Sequence, residues 1–150
     1  MFALQRSPQS TSDKCTPNIL PCRVHHDGPI KSVERFWTPF PDEKDQPVQT
    51  AHFRGRKLRG RRVAVPEGYE GVVAIPTERV IPSKGADNDD SAPEEPIKVL
   101  EQQSTFVEVM VWGHEITPAP DDPFVKGVEE WIKLAEAMHT QPSDQKQQST

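Results

Sequence analysis

The chain has only two cysteines, Cys15 and Cys22, in 150 residues. Two thiols make no disulfide framework, and with His25, His26 and Asp27 they match no zinc-ligand spacing. Cys22 falls in an apolar–polar alternation, which predicts a small buried side chain. No stretch is long and apolar enough to span a bilayer, and the N-terminus lacks the apolar core of a secretory signal. The expectation is a soluble intracellular protein with reduced thiols. Apolar side chains are scarce too, at 33%, against ~45–50% (glycine included) in an ordinary globular chain.

Patterns that carry chemistry are equally sparse. There is no glycine-rich phosphate loop, nucleophile elbow or Cys/His pairing. His114 and Glu115 are adjacent on a predicted strand, so they point to opposite faces and cannot converge on one substrate atom. A two-metal nuclease centre needs several carboxylates held by ordered elements around ions ~4 Å apart. Here Asp87, Asp89, Asp90, Glu94 and Glu95 crowd into one stretch rich in Ser, Asn, Ala and Pro, and Asp121 and Asp122 stand between prolines. The chain is therefore expected not to be an enzyme by itself. It is expected to carry no catalytic residue, metal ligand or cofactor of its own.

What is plentiful is proline, with 16 residues. Proline cannot donate to a ladder or a helix interior, which predicts short elements separated by turns. Residues 1–17 and 141–150 carry too little apolar surface to offset ordering entropy, so both ends are predicted to be disordered. The acidic stretch 83–96 reads as a mobile loop. What remains is one domain over 18–140, small for an independent core.

Charge is also concentrated. Arg54, Arg56, Lys57, Arg59, Arg61 and Arg62 fall within nine residues, in a chain of net charge −5. Three readings stay open for this run: contact with nucleic-acid phosphates, bidentate pairing with an acidic protein partner, or a solvated face partly paired with the chain's own acids. Only Phe53 adjoins it, so no aromatic stacking platform is visible. Gly55 and Gly60 punctuate the run. One arrangement is a hairpin with strands at 49–58 and 61–65 and its turn near Gly60.

Alternation predicts further strands. Leu20, Cys22 and Val24 share a face of an extended segment 19–24, and Val33, Arg35 and Trp37 share a face of a second strand, with Glu34 and Phe36 opposite. An apolar run begins at Gly71 and continues as a buried strand to Ile81. After the acidic stretch, order resumes at Thr105 in a strand ending at Gly113. Closely spaced short strands predict a mainly β fold, a small β-barrel or sandwich. The single helical pattern runs over 126–140. Val128, Trp131, Ile132, Ala135, Met138 and His139 mark its apolar side, and Glu129–Lys133 is a favourable i,i+4 pair. Pro118, Pro120 and Pro123 exclude regular structure before it.

Taken in order, these segments resemble the C subunit of eukaryotic ribonuclease H2. The matching motifs are Leu20-Pro21-Cys22-Arg23-Val24 with Asp27-Gly28-Pro29; Arg35-Phe36-Trp37-Thr38-Pro39; Phe53-Arg54-Gly55-Arg56-Lys57-Leu58-Arg59-Gly60; and Val63-Ala64-Val65-Pro66 with Gly68 and Gly71. The match returns at Val111-Trp112-Gly113-His114-Glu115 and Pro118, then at Gly127, Trp131, Leu134, Ala135 and His139. Each motif is short; their order and separation make the combination specific.

The resemblance implies a non-catalytic member of a heterotrimer. In that family the carboxylates and a divalent metal, expected to be Mg, belong to the A subunit. The B and C subunits interweave into a triple β-barrel, with C between A and B. The assembly degrades RNA in RNA–DNA hybrids and incises DNA at embedded ribonucleotides, as in ribonucleotide excision repair, in the nucleus. The arginine-rich motif is then expected near the junction with the catalytic subunit, within reach of nucleic acid. Short strands with Val and Ile on open edges independently invite pairing with another chain. Leu20, Val24, Phe36, Trp37, Val63 and Val65 are expected in a barrel core completed by the partner. Val72, Val73, Ile75, Phe106, Val109, Val111 and Trp112 are expected to join them. Trp131, Ile132 and Met138 are expected to pack the helix on a barrel or on a partner. The alternatives are a stand-alone barrel that binds nucleic acid through residues 54–62, and an enzyme with an unrecognised site.

Overall fold

A computed structural model describes residues 2–6, 14–43, 48–81 and 96–139. In chain order the strands are β1 (Phe2–Arg6), β2 (Asn18–Ile19), β3 (Phe40–Pro41), β4 (Gln49–Phe53), β5 (Arg56–Ala64), β6 (Gly71–Ile81), β7 (Ile97–Phe106) and β8 (Glu108–His114). The helices are α1 (Val33–Phe36) and α2 (Pro123–His139). Among the described residues the expected barrel is not closed: the strands form two open sheets, of three and five strands. Two compact units result, Met1–Pro17 with Ala64–Val109, and Asn18–Val63 with Met110–Thr150.

The first unit is built on the sheet β1-β7-β6, with β1 parallel and β6 antiparallel to β7. The prolines do not shorten its strands, since β6 has 11 residues and β7 has 10. Pro76 is tolerated because β6 is an edge strand and the ladder shifts register beside that residue. In the irregular stretch Thr77 donates its hydroxyl to the Val99 carbonyl at 2.9 Å, replacing a ladder bond with a side-chain one. Gly71 lies so close to Phe106 that a Cβ would run into the ring.

Three expectations change here. Residues 2–6 form a strand where composition predicts disorder, because Phe2 to Arg6 find a ready partner in Lys98 to Gln102 of β7. Order resumes at Ile97 rather than Thr105, and the strand read across 105–113 is interrupted at Val107. The backbone N–H of Cys15 donates to the Thr105 carbonyl at 2.8 Å, tying the segment after the N-terminus to β7. The acidic stretch over 83–95 and the tail 141–150 lie outside the described residues.

The second unit is built on the sheet β2-β8-β5-β4-β3. Its faces follow from the period of two along β8. Met110 and Trp112 point one way, into a cluster with Ala51 and Leu58 on which Leu20, Trp37 and Phe53 pack. Val111 points the other way, with Val63 and with Val125 of α2, and Ile19, Val128 and Ile132 pack around them. Both faces of this sheet are thus covered within the chain.

The strand expected at residues 33–37 is instead the single turn α1, closed by the Trp37 N–H donating to the Val33 carbonyl at 2.8 Å. That turn delivers Trp37 edge-on to Trp112, at 5.1 Å between ring centroids, and to Phe53, at 6.2 Å. Phe36 is left 68% exposed. Leu20 packs on the Met110–Trp112 cluster, but Cys22 and Val24 are exposed, because the extended segment leaves the sheet after Ile19. Helix α2 starts earlier than its apolar pattern suggests. Asp122 caps it, its carboxylate accepting the N–H groups of Phe124 at 2.9 Å and Val125 at 3.4 Å. Pro123 occupies the first helical position, where a missing N–H and a fixed φ do no harm.

Candidate functional site

The basic run forms the tip and one arm of the β4–β5 hairpin. Its turn is not near Gly60. It falls at Arg54-Gly55, between Phe53 and Arg56, which pair across the ladder. Both turn residues are left-handed, with φ of 50° and 75°, the geometry that matches the twist of a two-residue hairpin. Gly60 belongs to β5 instead. Its α-carbon is packed so tightly that a Cβ would sit 2.9 Å from Met110 Cε and from the Trp112 ring. One glycine therefore serves the turn and the other the core.

Strand alternation then sorts the six cations. Arg59 is half-buried on the face opposite Leu58. Its guanidinium lies 3.4 Å from the Asp42 carboxylate, which also accepts the buried Thr50 hydroxyl at 3.1 Å. Register places Arg59 directly opposite Thr50. The Arg59 Nε is buried with no hydrogen-bond partner. Arg61, also half-buried, donates from Nε to the Pro118 carbonyl and so anchors the segment between β8 and α2. Arg62 is exposed.

At the tip, Arg54 folds over Phe53, 5.4 Å from the ring centroid. Arg56 reaches His114 at 3.4 Å, and Lys57 is exposed. The Glu115 N–H donates to the Lys57 carbonyl at 3.1 Å, extending the β5–β8 ladder to this end. His114 and Glu115 do not form an acid–base pair: Glu115 has left the strand at a left-handed φ of 59° and His114 faces Arg56. An open recess beside the hairpin is lined by Phe40, Asp42, Glu43, Thr50, Lys57 and Arg59. Its acids and bases balance, so the cationic surface is the tip, not the recess.

The expected core residues divide by unit. In the five-stranded sheet Val63, Val111 and Trp112 are buried, and Trp37 packs against Trp112 on the face away from Val63 and Val111. In the other unit Val109 and Phe106 are buried, Val65 and Val72 half-buried, and Val73 and Ile75 exposed. On α2, Ile132 packs on the chain's own sheet, whereas Trp131 and Met138 face outward. Asp42, Thr50 and Asp122 are the polar residues that sequence reasoning missed. Only Asp122 carried a signal, an acid followed by proline at a helix start. Among the described residues no group of three His, Cys, Asp or Glu side chains could hold a metal ion.

Two open sheets, outward apolar side chains and a cationic hairpin tip characterise this mainly β chain. The chain belongs to the family described as ribonuclease H2 non-catalytic subunit (Ylr154p-like), whose profile matches residues 16–138. The C subunit of ribonuclease H2 from Bos taurus is 36% identical over 139 residues, which span 85% of this chain and 82% of the relative. The Mus musculus protein of the same name is 35% identical over 140 residues, with the same two shares. A Schizosaccharomyces pombe protein, uncharacterized protein C12B10.15c, is 30% identical over 135 residues, 88% of this chain and 86% of its own.

Proposed function

We propose that this chain is the C subunit of a ribonuclease H2 complex and works there as a scaffold. It joins the A subunit, which is catalytic, to the B subunit. The carboxylates and their divalent metal, Mg, reside in A. The assembled enzyme degrades RNA in RNA–DNA hybrids and incises DNA at embedded ribonucleotides, in the nucleus.

The observation that carries this reading is apolar exposure on a sheet with free borders. Phe2 is 66% exposed, Leu4 53%, Ile75 52% and Val80 55%, all on the outer strands β1 and β6 of the three-stranded sheet. Such borders take strands from another chain, and strands from B completing a barrel would cover these side chains. Co-expression with candidate A and B chains tests it. The three are expected to co-purify in equal amounts and to cleave hybrid only together. A closed, cooperatively melting monomer that ignores both partners would sink the proposal.

A second reading concerns the hairpin tip. Arg54, Arg56 and Lys57 are exposed there, while Arg59 and Arg61 are engaged inside the unit. Alanine at those three tip positions in the assembled enzyme separates the options. Weaker hybrid binding with a flatter salt dependence, at unchanged assembly, identifies phosphate contact; lost assembly identifies a protein contact. Salt-dependent affinity of the isolated chain would favour a stand-alone nucleic-acid module.

A further inference from the structure

One face of the β4–β5 hairpin carries an aromatic surface that local spacing does not show. The register pairs Thr50 with Arg59 and His52 with Lys57, so all four side chains stand on the face opposite Leu58. Phe40, on the border strand β3, pairs with Thr50 and joins them there. Its ring stacks on His52, with centroids 6.5 Å apart and planes 22° from parallel. Phe40 is 46% exposed and belongs to neither buried cluster of this sheet. His52 and Lys57 are exposed as well.

Phe40 and Lys57 both line the recess beside the hairpin, whose volume is about 460 Å³. That lies within the ~300–1,000 Å³ of small-ligand sites. The Asp42 carboxylate is engaged by Arg59 and Thr50, which leaves Glu43 and Lys57 as one acid and one base on the rim. A recess without net charge does not draw in a string of phosphates. It suits a flat, uncharged ring with polar edges, which needs an aromatic surface to lie on and charged groups around it. Lys57 belongs to this recess and to the cationic tip, where Arg54 and Arg56 follow.

That combination selects the occupant. An apolar side chain of a protein would use Phe40 and leave the neighbouring cations idle. An acidic peptide would use the cations, meet Glu43 and leave the ring idle. A nucleotide uses both, with its base on the ring and its phosphates on the cations, which is how single strands are held. A duplex offers the same phosphates but keeps its bases stacked inside, so Phe40 can reach only an unpaired base.

We infer that the hairpin holds an unpaired nucleic-acid strand, with one base seated in the recess on Phe40. A flanking phosphate lies on Lys57, and the strand continues over the tip toward Arg54 and Arg56. This rests on the reading of the tip as a phosphate contact and narrows its ligand from nucleic acid in general to an unpaired strand.

The test uses the assembled complex and a short single-stranded DNA carrying 5-iodouracil, which contains no RNA to cleave. Irradiation should join the DNA to Phe40 or His52, as located by peptide mass spectrometry. This crosslink is read on the wild-type chain and does not depend on how any variant folds. Phe40→Leu keeps an apolar side chain on the border strand but removes the ring. It should weaken single-strand affinity about tenfold and leave duplex affinity unchanged, whereas Phe40→Tyr should bind as the wild type does. Adducts confined to other residues or other subunits, equal loss for single strand and duplex, or no loss in Phe40→Leu would each overturn the inference. Dissociation of the complex in Phe40→Leu would also overturn it, by making the recess a protein contact. Alanine at Arg54, Arg56 and Lys57 separates the two levels. If that triple change weakens binding while Phe40→Leu does nothing, only this inference fails; if it weakens neither nucleic acid, the phosphate reading fails and this one with it.

Discussion

Asp42 and Arg59 meet at 3.4 Å across the second sheet, and each is mostly withdrawn from water, with side chains 13% and 29% exposed. The pair joins the start of the β3–β4 connection to the middle of the arginine-rich strand. Because Asp42 also accepts the Thr50 hydroxyl, it holds two strands through one carboxylate.

Asp42→Ala should therefore destabilise the chain by about 1–3 kcal/mol, since it strands a half-buried guanidinium and a buried hydroxyl. Asp42→Asn keeps an acceptor for Thr50 and should recover part of that loss. Urea midpoints at constant slope measure both.

Gly60→Ala should be destabilising by about 1–3 kcal/mol through overpacking against Met110 and Trp112. Gly60→Ala combined with Met110→Ala should be less harmful than the two single changes added together, because the truncated side chain vacates the contact. A double-mutant cycle by thermal unfolding reads the coupling.

Arg54 sits at a left-handed φ that non-glycine residues adopt at a penalty of roughly 1–2 kcal/mol. Arg54→Gly should hold or raise the melting temperature, Arg54→Asn should be close to neutral, and Arg54→Val should lower it. The series separates the turn's conformation from its charge: if hybrid binding falls equally in all three, the guanidinium matters and the backbone does not.

Removing the helix cap by Asp122→Ala should be destabilising by about 1 kcal/mol and should fray the first turn of α2. Asp122→Ser should restore most of the loss. Circular dichroism at 222 nm together with the unfolding midpoint checks both outcomes.

Several of these features were legible in the sequence and several were not, for definite reasons. The strands β6 and β8 showed as apolar runs and the helix α2 through its period, whereas β5 was split in two by a turn expected near Gly60. Which glycine made the turn was not decidable, because both fit a hairpin pattern. Only the register, with Phe53 opposite Arg56, distinguishes them. The turn α1 was hidden because four residues are too few for a helical period to separate from a strand's. β1 was hidden because its order comes from pairing with β7, far away in the chain, and not from its own composition. The charge run read as one feature, yet a period of two sends Arg59 inward, opposite its neighbour Leu58. Non-local partners such as Asp42 for Arg59, or Pro118 for Arg61, leave no trace in local spacing.

The proline at position 76 interrupts the outer strand of the three-stranded sheet where its ladder slips register. A uniform border would template addition of identical copies without limit, as in a growing fibril. Pro76 withholds one amide and distorts the next few, so repeated stacking finds no regular surface. While it waits unassembled, the molecule is thereby steered away from polymerising with its own kind.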